Sequence, residues 1–174
     1  RLSEVKGISE KKAREIAMQI AEKSDMRKAM MFLQKYGISL NLGAKIYQKY
    51  GDSVYSVLQE NPYRLADDIS GVGFKIADEI AYGIGIHTDS DYRIKSGMVY
   101  TLLQATGEGH VYLPKDELFQ RAAELLGVDS SYMEKHLVDL AMDRKIVQKE
   151  QGDQILIYPA QYYYLELNTA RMLR

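Results

Sequence analysis

The stretch Leu65-Ala66-Asp67-Asp68-Ile69-Ser70-Gly71-Val72-Gly73-Phe74-Lys75-Ile76-Ala77-Asp78-Glu79-Ile80 decides how the rest of the chain is read. Leu65 and Ile69 make an apolar lead-in to Gly71-Val72-Gly73, after which Phe74, Ala77 and Ile80 recur three apart, the spacing of one helical face. The pattern predicts a helix, a tight turn and a second helix. Gly71 suits a positive φ that side chains resist, and Gly73 suits the residue that opens the second helix. A helix begun in this way points unsatisfied amides and the positive end of its dipole outward, where an anion such as phosphate is favoured.

The same frame recurs twice upstream. Gly71 is followed by Ala77 six residues on and Ile80 nine on; Gly7 is followed at those offsets by Ala13 and Ile16, and Gly37 by Gly43 and Ile46. Ile8 and Ile38 stand where Val72 stands, with Leu2, Val5 and Leu33 leading in. Ser9 and Ser39 replace Gly73, as expected of an N-cap, where serine is favoured and glycine accepted. A supersecondary unit repeated about every thirty residues is architecture.

This pattern resembles the helix-hairpin-helix motif of DNA repair and recombination proteins, a motif that holds the DNA backbone without reading sequence. The resemblance implies the fold, and it leaves two readings of each turn open: the glycines grip phosphate, or they only let the helices pack. Charge bears on the choice. Residues 1–50 carry eleven Lys and Arg against five Asp and Glu, a balance of +6, whereas residues 51–90 carry two against seven, a balance of −5. Lysine and arginine that displace counterions from phosphate are the main source of sequence-independent affinity. The first hairpin, with Lys6, Lys11, Lys12 and Arg14, is therefore the leading DNA candidate, and the second has Lys35 and Lys45 beside its turn. The third has the cleaner turn in a poorer field, with Lys75 set among Asp67, Asp68, Asp78 and Glu79. The candidate DNA-binding residues are Gly7, Ile8, Ser9, Lys11, Lys12, Gly37, Ile38, Ser39, Lys45, Gly71, Val72, Gly73 and Lys75. In this reading the amides of Ile8, Ser9, Val72 and Gly73 face the phosphates.

Composition bounds the class. The 174 residues, 46% apolar, hold one large or two small globular domains. No apolar run approaches membrane-spanning length and no leader is visible, so a cytoplasmic protein without a membrane partner is expected. The absence of cysteine excludes disulfides and thiolate metal sites. A net charge of −1 excludes a polybasic binder while leaving room for a local basic surface. The chain opens inside a motif and ends inside an apolar-periodic run, and reads as a piece of a longer protein.

Taken in order, a helix runs from Glu10 to about Glu22 with Ala13, Ile16, Ala17 and Ile20 inward, and Ser24 or Asp25 caps another that carries Ala29, Met30, Leu33 and Tyr36. A helix from Leu40 to Tyr50 stops at Gly51, and Asp52 caps one holding Val54, Val57 and Leu58, which Asn61-Pro62 breaks. The helix of the third hairpin runs out at Gly83-Ile84-Gly85, and His87 to Asp91 is a polar connector. Asp91 then caps a helix from Tyr92 to about Ala105. His110 to Leu113 is β-prone, Pro114 and Asp116 open a helix over Leu118, Ala122 and Leu125, and Asp129 and Ser130 start another over Met133, Leu137 and Leu140. Ile146–Lys149 and Ile155–Tyr158 flank Gly152-Asp153 as a β-hairpin. Three helices, a short strand and a hairpin describe a winged helix.

The expected fold is therefore mainly α: a tandem helix-hairpin-helix array over residues 1–88, a small winged-helix-like α+β domain over 89–160, and a connecting helix over 161–174. The third helix of the winged unit carries Glu134, Asp139 and Asp143 against Lys135, Arg144 and Lys145, a poor match to a DNA groove. Protein or interdomain packing is the better reading there. Tyr162, Tyr163 and Tyr164 either anchor the closing helix or stack on bases.

Asn61-Pro62-Tyr63-Arg64-Leu65, Gly71-Val72-Gly73-Phe74-Lys75 with Ala77-Asp78, Arg93-Ile94 with Gly97, and Glu108-Gly109-His110-Val111-Tyr112-Leu113-Pro114 together resemble the N-terminal region of RecD-like DNA helicases of the long-N-terminus subfamily, relatives of the exodeoxyribonuclease V alpha chain. The resemblance covers nearly the whole chain. It implies a parent that is a five-prime-to-three-prime, ATP-driven helicase acting in DNA repair and recombination, with ATP and magnesium belonging to a motor that follows. The sequence has no Gly-x-x-x-x-Gly-Lys followed by Ser or Thr, so no nucleotide cradle is expected here. No paired histidines or carboxylates form a catalytic or metal constellation, and a glycosylase reading lacks its catalytic residue. Two functions remain. One is a non-catalytic, sequence-independent DNA-binding module for single-stranded, duplex or forked DNA; the other is a scaffold whose hairpins are structural and whose surface meets a protein partner or the helicase motor of the same chain.

Overall fold

The computed structural model describes residues 9–173, which form two compact units divided between Ile84 and Gly85. The fold is mainly α, with one small antiparallel sheet near the C-terminal end.

The first unit contains α1 (Glu10–Lys35), α2 (Leu40–Tyr50), α3 (Val54–Glu60), α4 (Arg64–Asp68) and α5 (Phe74–Ile84). Leu33, Ile46, Leu65 and Ile80, at inward positions of the repeated frame, are among its largest buried side chains, and Leu58 of α3 joins them. Tyr63 stacks on Phe74 with centroids 5.8 Å apart, and its hydroxyl donates to Asp78 at 2.6 Å.

Three expectations fail here. The predicted break at Ser24-Asp25 is absent, and α1 is one helix of 26 residues. No glycine or proline lies between Glu10 and Lys35, and a serine or aspartate inside a helix costs only about 0.5 kcal/mol, too little to interrupt an established hydrogen-bond ladder. Asp25 instead pairs with Lys28 one turn on, at 3.8 Å. Along the same helix Ala13 is buried, but Ala17 and Ile20 are exposed, so the apolar stripe is not covered along its length by the described residues. Nor does Asp52 cap α3. It lies in a 3-10 turn, Gly51–Ser53, and accepts from the Tyr47 hydroxyl at 3.4 Å.

The second unit contains α6 (Asp91–Gly107), β1 (Leu113–Pro114), α7 (Lys115–Leu126), α8 (Glu134–Met142), β2 (Ile146–Gln151), β3 (Gln154–Pro159) and α9 (Ala160–Met172). Its sheet order is β1-β3-β2, both pairs antiparallel. Helix, strand, two helices and a hairpin with this strand order make a small, winged-helix-like α+β unit. Ser90, rather than Asp91, caps α6, its hydroxyl accepting the Arg93 amide at 3.3 Å. Leu126, rather than Leu125, is the buried leucine at the end of α7.

One histidine of this unit is buried. His136 on α8 is 1% exposed, and among the described residues neither ring nitrogen has a hydrogen bond; Nε2 lies 3.4 Å from Asp91 Oδ1, with Lys135 at 3.2 Å from the same carboxylate. Burial pushes the imidazole below its ordinary range, against the opposing pull of Asp91. The folded form therefore holds the neutral ring, whereas an unfolded chain takes up a proton near pH 6.5. The stability contributed is fully present above about pH 6.5 and falls as pH drops through the folded value. Urea melts between pH 7.5 and 5 should show this loss, and His136→Gln should flatten it.

Candidate nucleic-acid interface

The second and third hairpins share one local construction. In the second, α1 ends with the amides of Tyr36 and Ile38 donating to the Leu33 carbonyl at 3.1 and 3.2 Å, Gly37 turns at φ 77°, and Ser39 opens α2. In the third, the Ile69 amide closes α4 on Leu65 at 3.0 Å, Val72 donates to Ile69 at 3.1 Å, and Gly71 turns at φ 96°. Ile38 and Val72 are buried between their helices, while Gly37, Ser39, Gly71, Gly73, Lys45 and Lys75 are exposed.

The next helix then begins with its first i→i−4 bond from Gly43 to Ser39 at 2.8 Å, or from Ala77 to Gly73 at 3.1 Å. Amides ahead of those residues are outside the helical ladder and face the turn. At α2 the Ser39 hydroxyl takes one of them, Leu42's, at 3.3 Å; at α5 the glycine offers no side chain to do so. The first turn of α5, with Lys75 and Ile76, is accordingly the less capped. The Val72 amide, expected to face phosphate, donates to the Ile69 carbonyl and closes the turn, as the Ile38 amide does with Leu33. An anion at either hairpin would meet the helix N-terminus instead.

Gly71 supports a direct test of this geometry. A Cβ there meets nothing within 4 Å, yet φ of 96° resists any side chain, so Gly71→Ala should destabilise the first unit by about 1–2 kcal/mol through the backbone alone. Gly73→Ser, which copies Ser39, should instead stabilise it by a few tenths of a kcal/mol. Paired urea melts read both, and equal melts for the two variants would contradict this turn geometry.

Of the first hairpin, Gly7 and Ile8 lie outside the described residues. Ser9 is seen to cap α1, its hydroxyl accepting the Lys12 amide at 3.3 Å, and Lys11 and Lys12 are exposed in the first turn. The sequence candidates do not merge into one patch. Gly83 at the far end of α5 would put a Cβ 2.7 Å from Tyr36 Cδ1, so the Gly37 turn lies beside the C-terminal end of α5 and the Gly71 turn at its N-terminal end. Along an α-helix that is about 14 Å.

The acidic field at the third hairpin is partly engaged. Asp68 accepts from the Tyr50 hydroxyl at 2.6 Å and sits 3.7 Å from Arg64, and Asp78 accepts from Tyr63. Burial and the Asp68 carboxylate push the Tyr50 hydroxyl up, so it stays a donor at any ordinary pH. Near the second hairpin, Lys35 lies 5.9 Å from the Tyr36 ring centroid.

In the winged unit, the charges on α8 are spent on its own neighbours. Lys95 meets Asp139 at 2.9 Å, Lys135 meets Asp91 at 3.2 Å, and Lys115 meets Glu134 at 2.7 Å. Tyr163 packs edge-on to Tyr158 at 5.3 Å and to Tyr164 at 5.7 Å, while Tyr162 and Tyr164 are exposed. Sequence reasoning missed His136, although Met133, His136, Leu137 and Leu140 fall on one helical face at i, i+3, i+4 and i+7. Among the described residues no three His, Asp or Glu side chains are placed to hold a metal ion, and no helix is long and apolar enough to cross a membrane.

Residues 22–112, just over half of the 174, match the family described as the HHH domain of ATP-dependent RecD2 DNA helicases. The match includes the Gly37 and Gly71 hairpins and leaves Gly7 to Lys12 outside it. The ATP-dependent RecD2 DNA helicase of Deinococcus radiodurans is 26% identical over 113 residues, which are 64% of this chain and 16% of that protein. The chain thus spans a small part of that relative's length. With its paired glycine turns and the matched span, the chain belongs to the RecD2 helicase HHH domain family.

Proposed function

We propose that this chain is a non-catalytic part of an ATP-dependent, five-prime-to-three-prime DNA helicase acting in repair and recombination, and that its hairpins hold the DNA backbone without reading sequence. The array to about residue 88 is the binding domain, the winged-helix-like domain over 89–160 and the helix after it lead towards the motor, and ATP and magnesium belong to that motor. A cytoplasmic location follows from the same reading.

The observation that carries it is the repeated turn. At Gly37 and again at Gly71 an apolar residue is buried, a glycine holds a left-handed backbone, and exposed residues stand in the first turn of the next helix, Leu40 and Asn41 in one and Lys75 in the other. Helix N-termini of this kind attract phosphate. Lys45 and Lys75 add charge beside them, as do Lys11 and Lys12 at the Ser9 cap.

Fluorescence anisotropy of labelled single-stranded, duplex and forked DNA, at two salt concentrations, tests the proposal. Binding should be blind to sequence and fall steeply with salt. A Lys11→Ala, Lys12→Ala double variant should reduce the log–log salt slope by about two, about one for each lysine removed from a phosphate. The competing reading, a docking scaffold with structural hairpins, is favoured by the inward Ile38 and Val72 amides. DNA that stays free at low salt would replace the first reading with that one.

A further inference from the structure

In the winged unit a groove of about 310 Å³ lies between the C-terminal end of α8, β2 and the start of α9. Ala141, Ile146, Val147, Ala160 and Tyr164 give it apolar walls; among the described residues Arg144 is its one cation, and no carboxylate lines it. The apolar surface extends along α8, where Val138 and Met142, one turn apart, are 59% and 76% exposed.

Arg144 is where the backbone asks for something else. Eight of the described residues have a positive φ; seven are glycine and the eighth is Arg144, at 57°. It follows α8, with its amide donating to Ala141 at 3.1 Å and the next amide, Lys145's, reaching back to Leu140 at 3.0 Å. That is the left-handed closing position of a helix, usually glycine because a Cβ is disfavoured there. The groove is held firmly around it, since the Ala160 amide donates to the Lys145 carbonyl at 3.1 Å. Among the described residues no ion pair engages Arg144, whereas Lys95, Lys115 and Lys135 are all tied to carboxylates. A left-handed backbone at a residue that lines an apolar groove, with its charge engaged by no ion pair among the described residues, is an arrangement for binding rather than for stability.

We propose that this groove docks an acidic peptide segment of a partner protein, a carboxylate pairing with Arg144 while an apolar side chain seats between Ile146, Ala160 and Tyr164. The charge is complementary, and a planar guanidinium accepts a carboxylate through two parallel hydrogen bonds. A DNA backbone fits less well, because it presents a row of phosphates to one cation and an apolar wall. The site is built from residues of the second unit alone and does not depend on the function of the hairpins.

The test uses the 174-residue chain and a short fluorescein-labelled peptide of Asp, Glu and Phe, with two controls: Lys in place of the acids, and Ser in place of Phe. Amide chemical shifts map the site. The acidic peptide should bind, perturb residues 141–148 and the start of α9, and outcompete both controls. Arg144→Gly should weaken binding by about tenfold or more while melting at the same or a higher temperature, since it relieves the left-handed residue. Tyr164→Ala should weaken binding without altering the fold. Absence of peptide binding, equal binding by Arg144→Gly, or equal binding of the Lys control overturns the proposal. So does a stronger perturbation of the same amides by DNA, or their burial in a concentration-dependent dimer.

Discussion

Leu33→Ala should lower the stability of the first unit by about 2–5 kcal/mol, the range for a fully buried leucine whose surroundings cannot collapse into the space. Leu33 is 0% exposed. Its carbonyl accepts both amides that close the Gly37 turn, and its Cδ1 lies 3.6 Å from where a Cβ on Gly43 would stand. The side chain thus holds α1 against α2 at the hairpin. Its loss should shift the urea midpoint and, on the function proposed above, weaken DNA binding through the second turn. Leu40→Ala is the control, because Leu40 is 59% exposed at the first position of α2 and its loss should stay within about 0.5 kcal/mol. Equal effects from the two leucines would mean that Leu33 does not hold this turn.

Gly97→Ala should destabilise the second unit, against the usual preference of a helix for alanine over glycine. A Cβ on Gly97 would stand 2.6 Å from Leu126 Cδ2 and 2.9 Å from its Cγ, so turning the end of the leucine cannot clear it. Overpacking of this kind costs about 1–3 kcal/mol, and the helix preference returns at most about 1 kcal/mol. The backbones are fixed as well, since Arg93 donates to the Leu126 carbonyl and Thr101 to the Gly97 carbonyl, each at 2.8 Å. Leu126→Ala alone should cost about 2–5 kcal/mol by leaving a cavity. Combined, the two changes should be less damaging than their sum by about 0.5–3 kcal/mol, because the new methyl enters the space the leucine leaves. Strict additivity in a double-mutant cycle would rule out this close approach of α6 and α7.

What could be read in the sequence follows from which signals are local. The turns at Gly37 and Gly71, the Ser39 cap, the stops at Gly51 and Gly127 and the Gly152-Asp153 hairpin each depend on a residue whose backbone preference acts where it stands, and the structure has them all. The break proposed at Ser24-Asp25 used the same kind of signal. It failed because a capping side chain marks an end only where the ladder is already interrupted. Adjacent caps mislead in a smaller way, as Ser90 and Asp91 show. Burial is less legible still. Ile20 and Ile46 both sit on apolar helical stripes, but whether a stripe is covered depends on what packs there, and Ile46 is buried while Ile20 is 58% exposed. The inward Val72 amide and the left-handed Arg144 were beyond pattern reading, since nothing in residue type announces them.

Because α1 runs unbroken for 26 residues, the Ser9 cap and the Gly37 turn at its ends are held about 39 Å apart. One turn of duplex DNA is about 34–36 Å. On the function proposed above, such a rod is a ruler: a duplex shorter than its span reaches one end only, and affinity then climbs with DNA length as a step rather than a slope.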